Sequence, residues 1–249
     1  MKYNSQSWGP GASEEEKSFR SFISNDPALS YFLEMGALRK NSKFSKEEIY
    51  KEPKFLAFIS PYFESVYTAA VIRCFETRDT NLISDIAANP LLLDDAHKQS
   101  AFSTIEQFLA KRLKQLEFAN NQIQSDGPII PSELEEHTGI ITICLLNYLP
   151  QDFQSIRTDF CKQIMTTVRL LISKDFSLAL SIATNLRQLK CDAQATYDAD
   201  NLYQTLVNAN EKANAISASQ GSSGGGQLSV WGIIGIILLI IKLILLFAR

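Results

Sequence analysis

A chain of 249 residues with 24 basic and 27 acidic side chains, net charge −3, has room for one helical domain or two small ones. Lys242 and Arg249 supply two of the 24 basic residues, so the rest of the chain stands near −5. Phosphate-backbone binding needs clustered Lys and Arg, and this balance excludes nucleic acid as a partner.

The first twelve residues, MKYNSQSWGPGA, are polar and broken by Gly and Pro, and read as a disordered arm over 1–12. Trp8 stands out there, either as the anchor of a docking peptide or as a ring folded back on its own domain. Ser13 with Glu16 forms a capping box, and Glu14 and Glu15 suit the positive end of a helix. Phe19, Phe22 and Ile23 give that helix its apolar face. Asp26 then caps a second helix with Pro27 at its first position and Leu29, Phe32, Leu33 and Leu38 inward. Ser45 with Glu48 repeats the capping-box pattern before a short helical turn.

From Pro53 the chain is densely aromatic: Phe55, Phe58, Tyr62, Phe63, Tyr67 and Phe75 leave little polar face. This predicts a buried helix, or a helix pair broken or kinked at Pro61, at the centre of the core. A lipid- or peptide-binding groove is the other use for such a stripe. Residues 81–88 read as a short helix stopped by Asn89-Pro90. Asp94 and Asp95 cap a long helix to about Gln124, with Phe102, Ile105, Leu109, Leu116 and Ile123 inward and Lys111, Arg112 and Lys114 outward.

After a loop ending at Pro131, Ser132 with Glu135 is a third capping box, opening a helix that carries Ile140, Ile143, Leu145, Leu146 and Leu149 to Pro150. Asp152 caps the next helix, with Phe160, Ile164, Val168 and Leu171 inward, and Asp175 opens another. Residues 192–215 form a polar, Ala-rich helix whose strong apolar positions are Leu202, Leu206 and Val207, expected to pack weakly or project as a stalk. The pattern throughout is all-α: a helical bundle or a short solenoid of helical hairpins over 13–215.

Residues 216–229 are a Gly/Ser-rich linker containing GSSGGG, with a reach of roughly 20 Å as a flexible chain. Residues 230–248 match the about 20 apolar residues of a transmembrane helix. Lys242 is its one charge, near enough to the end to snorkel, and Trp231 lies at the opposite boundary. At about 100° per residue, Trp231, Gly235, Leu238, Lys242 and Arg249 share one face. That face is either a helix–helix seam or the side of a plain anchor whose lysine snorkels. With no apolar segment near residue 1, the expected topology is tail-anchored and single-pass, with the N-terminal body in the cytosol.

The chain carries no HExxH, Cys/His cluster, P-loop or helix-opening GxGxxG, and its one Gly-rich run is the linker, with no strand before it. His97 and His137 each fall in a helical first turn among acidic capping residues. Cys74, Cys144, Cys161 and Cys191 show no CxxC spacing and read as small core residues in a reducing compartment. The sequence therefore predicts no enzyme, no cofactor and no metal. It predicts a scaffold that binds a protein partner at a membrane, held to the bilayer by residues 230–248. The alternative is an oligomerising effector, or a subunit of a membrane complex, that uses Gly235 and Lys242 and assembles as a homo-oligomer or with another membrane helix.

Overall fold

A computed structural model describes residues 13–45 and 48–220 of the chain, with side chains as far as Ala215. Trp8, most of the linker, and Trp231, Gly235, Leu238, Lys242 and Arg249 of the expected transmembrane helix lie outside the described residues. Among the described residues every regular element is helical, as the sequence predicts. In order they are α1 (Glu14–Asn25), α2 (Pro27–Met35), a 3-10 turn (Glu48–Lys51), α3 (Pro53–Thr77), α4 (Thr80–Ala87) and α5 (Asp95–Gln124). There follow α6 (Pro131–Thr138), α7 (Ile140–Tyr148), a second 3-10 turn (Gln151–Phe153), α8 (Gln154–Leu171), α9 (Phe176–Leu186) and α10 (Ala193–Gln220). The chain forms two compact units, one drawn from Met1–Arg112 with Cys144–Ile156, the other from Leu113–Ile143 with Arg157–Arg249.

In the first unit the local signals around α1 hold. Ser13 Oγ accepts from Glu16 N at 3.1 Å and Glu16 returns the bond to Ser13 N at 3.2 Å. α1 and α2 pack on α3, and α3 packs on α4. Phe55 sits at the meeting point, edge-on to Phe19 at 5.4 Å and to Phe22 at 5.7 Å. Burying a side chain of this size contributes about 1.5–3 kcal/mol, so this aromatic cluster dominates the unit's core. α3 is one α-helix through Pro61, which excludes the helix-pair reading. It is also, among the described residues, the helix long and apolar enough to cross a membrane, with a mean hydropathy of 1.4. Its Phe55, Ile59, Phe63, Val71, Cys74 and Phe75 are buried inside the unit.

Several local expectations need correction. α2 stops at Met35 because Gly36 takes the left-handed conformation at φ 59°, so Leu38 lies beyond the helix. Ser45 does not serve its own helical turn, since its N–H and hydroxyl both go to Asp26. Arg112, expected outward, is buried with its guanidinium 6.0 Å from the Phe108 ring. Asp152 lies inside a 3-10 turn and pairs with Lys98 at 2.7 Å instead of capping α8.

In the second unit the expected helix from Ser132 to Leu149 is two. Ile130 is the N-cap of α6, Pro131 fills its first turn, and Ser132 makes no cap. Gly139 then adopts an extended backbone, φ −72° and ψ 157°, which ends α6 and separates it from α7. α9 opens as expected, with Asp175 Oδ1 accepting from Leu178 N at 2.9 Å. The Asn120 amide, buried, donates to Gln163 O at 3.1 Å and accepts from Thr167 Oγ1 at 2.7 Å, closing a satisfied polar pair inside an apolar core. α10 is no stalk: it packs on α9 and buries Ala195, Ala199, Leu202, Leu206 and Ala209. Arg187 fastens the pair, bonding Asp200 at 2.8 Å and lying 4.3 Å from the Tyr203 ring. α10 runs to Gln220, five residues into the stretch expected to be linker.

Candidate functional site: an apolar cavity in the first unit

The left-handed Gly36 turns the chain away from α2 and starts a segment, residues 37–45, that crosses in front of α3. Two polar devices hold that segment in place. Asn89, just after α4, accepts from Phe44 N at 2.7 Å and donates to Ser42 O at 3.2 Å and Asp85 O at 2.7 Å. Asp26 works from the other side. Its Oδ1 caps α2 through Ala28 N and Leu29 N, both at 3.1 Å. Its Oδ2 accepts from Ser45 N at 2.8 Å, Ser45 Oγ at 2.9 Å and Tyr50 Oη at 2.7 Å. Burial pushes the Asp26 carboxyl up, but the hydrogen bonds from Leu29, Tyr50 and Ser45 outweigh it and hold it below the ordinary carboxylate value.

With the segment pinned, Phe44 becomes a wall. It stands 6.0 Å from Phe32 and 6.4 Å from Phe63, and Phe63 stacks on Tyr67 at 5.9 Å. Between these rings, Leu38, Val71, Ile83, Ile86 and Leu149 lies a cavity of about 280 Å³. Its floor is buried, while Ala87, Pro90 and Tyr148 on its rim are exposed. The lining contains no Asp, Glu, His, Lys, Arg or Cys. Its one amide, Asn89, already spends both amide groups on Phe44, Ser42 and Asp85. Such a site offers desolvation and shape; its Tyr67 phenol is held protonated by burial. Small-molecule sites span about 300–1,000 Å³, and an apolar cavity of about 150 Å³ accepts benzene. A space between those sizes suits one bulky apolar side chain.

A more chemical-looking cluster lies at the start of α5. Asp94 Oδ1 accepts from His97 N at 2.9 Å and lies 2.8 Å from His97 Nδ1, and His97 Nε2 is 4.0 Å from Glu64. The hydrogen bond from His97 N is the leading cause of a lowered Asp94 carboxyl. Ser100 resembles a nucleophile beside a histidine, but its hydroxyl donates to Glu64 at 2.6 Å, not to His97. The cluster is thus a helix start braced by two carboxylates. His137 is buried in α6. Among the described residues no group of three His, Cys, Asp or Glu side chains is placed to hold a metal.

The four cysteines divide unevenly. Cys74 and Cys161 are buried, and Cys144 and Cys191 are half-buried. Cys161 and Cys191, thirty residues apart with no spacing motif, come to the same turn of α10, Cys161 Sγ at 3.6 Å from Ala195 O and Cys191 Sγ at 3.4 Å from Thr196 Oγ1. No sequence signal marks that meeting or the cavity, since both depend on where separate segments cross. Comparison of the chain with protein-family models, curated proteins and solved structures finds no match.

Proposed function

We propose that this protein is a non-enzymatic, membrane-anchored recruitment module, and that the cavity of the first unit takes one bulky apolar side chain from a protein partner. One observation carries the reading: an aromatic-walled cavity with an exposed rim and no acidic, basic or thiol side chain in its lining. Interfaces concentrate their energy in a few buried aromatic or aliphatic anchors seated in such pockets. Residues 230–248 would hold the body at a membrane facing the cytosol, where tethering raises the effective concentration of a weak interaction.

The test uses the full chain in membranes with a photo-reactive side chain at Ala87 on the rim. Leu38→Trp, on the crossing segment, fills the cavity and leaves the residues of α3 unsubstituted. The reading expects a protein crosslink at Ala87 that Leu38→Trp abolishes while helicity is retained. A crosslink of equal yield in both chains refutes it. The oligomerising reading rests on the shared face of Gly235 and Lys242. Lys242→Leu separates the two, because it leaves the Ala87 crosslink intact under recruitment and removes it if partner binding depends on assembly through the tail.

A further inference from the structure

The second unit contains a site that recruitment does not use. α8 presents Thr158 and Cys161 one turn apart on a single face. The segment after α9 returns to that face: Asp192 N donates to Thr158 Oγ1 at 3.2 Å. Asp192 then caps α10 through Ala195 N at 2.8 Å. These two bonds hold Cys191 at the entrance of α10, with its Sγ 3.4 Å from Thr196 Oγ1. From the other side Cys161 Sγ donates to Ala195 O at 3.6 Å, so both sulfurs lie against the first turn of α10, at neighbouring residues 195 and 196. The pair is therefore clamped by three elements and not left to chance encounter.

We propose that Cys161 and Cys191 form a redox-active dithiol, oxidised by a hydroperoxide to an intramolecular disulfide, with Cys191 as the attacking and Cys161 as the resolving thiol. The roles follow from access. Cys161 is fully buried and Cys191 is half-buried. Cys191 also sits at the positive end of a helix and within the field of the buried Arg157 guanidinium, both of which favour a thiolate. The neighbouring Cys161 thiol leads the causes that draw the Cys191 thiol below its ordinary value, against burial. The Cys191 thiol and burial push Cys161 up. Asp192 opposes ionisation of both thiols, and Asp198 adds to this at Cys161.

In the first step the Cys191 thiolate attacks the hydroperoxide. An S–O bond forms, the O–O bond breaks, and the alkoxide takes a proton to leave as an alcohol, or as water from hydrogen peroxide. In the second step Cys161 sulfur attacks the Cys191 sulfenic acid. The S–S bond forms, the S–OH bond breaks, and hydroxide leaves with the Cys161 proton as water. Two thiols lose two electrons in all and one hydroperoxide gains them. With both sulfurs against the first turn of α10, rotation of the two side chains is the approach needed to reach the S–S length of about 2.05 Å. In a reducing compartment such bonds are transient and signal oxidation, so the dithiol is the resting form.

The test uses the full chain, hydrogen peroxide, alkylation of remaining thiols and peptide mass spectrometry. The expected product is one peptide pair joined through Cys161 and Cys191, reversed by dithiothreitol, with Cys74 and Cys144 left alkylatable. Cys161→Ser should trap Cys191 as a sulfenic acid that dimedone labels, and Cys191→Ser should abolish both products. Because Cys161 is buried, helicity is checked and the unsubstituted chain gives a second readout, the pH profile of alkylation. Cys191 should reach half its maximal rate at a lower pH than an ordinary thiol, which does so near its pKa of about 8.5. At pH 7 the gain in rate is only a few-fold, because a less basic thiolate is also a weaker nucleophile. A Cys191 profile like that of an ordinary thiol, or a joined pair involving Cys74 or Cys144, overturns the proposal.

Discussion

Asp26→Asn tests how the cavity is held open. In the native chain one carboxylate, 4% exposed, accepts five hydrogen bonds from five donors. The amide replaces one acceptor by a donor. If Nδ2 faces the 45–50 segment it opposes Ser45 N, which cannot turn away, and if it faces α2 it opposes the Ala28 and Leu29 N–H groups. Either orientation leaves buried donors unmatched, at about 1–3 kcal/mol each with more for lost charged bonds, so the substitution should destabilise by about 2–4 kcal/mol. For a body of this size about 1 kcal/mol moves Tm by about 2–4 °C, giving a fall of roughly 5–15 °C. The sign with pH follows from linkage. The folded carboxyl titrates below its ordinary value, so its stabilisation is full above about pH 4 and is lost as pH falls through the folded value. Thermal unfolding of both proteins by circular dichroism should therefore show a gap at pH 7 that narrows toward pH 3. A gap under about 0.5 kcal/mol at pH 7, the size expected of an ordinary surface change, refutes the reasoning, as does a gap that does not narrow.

Two further substitutions probe single elements. Gly139→Ala would place a Cβ 2.5 Å from the Glu135 carbonyl oxygen, a backbone atom that cannot swing aside, so it should destabilise by about 1–3 kcal/mol in a denaturant titration. Pro61→Ala restores a backbone donor inside α3 and should stabilise by about 1–3 kcal/mol in the same assay, and a loss of stability would contradict this.

The three capping-box patterns show what the sequence can and cannot convey. Ser13–Glu16 succeeds because both partners are local and nothing else competes. Ser45–Glu48 has the same spacing, yet Ser45 is claimed by Asp26, nineteen residues away. Ser132–Glu135 loses to Pro131, whose fixed φ starts α6 two residues earlier. α10 reads as packing weakly or projecting because it is poor in large apolar residues, but alanines at 195, 199 and 209 are buried where it packs on α9. Arg112 reads as outward because charge implies solvent, while its guanidinium lies by the Phe108 ring. The all-helical class was legible from periodicity. The cavity follows from one left-handed glycine and two buried polar clamps, and no periodic pattern encodes those.

Recruitment at a membrane is tested most directly by photo-crosslinking from Ala87 in membranes, comparing the full chain with one ending at Ser217. The reading predicts a partner joined at Ala87 in the full chain, strongly reduced when residues 218–249 are removed. Equal capture without those residues, or a dominant crosslink of the chain to itself or to a membrane protein through residues 230–249, contradicts it.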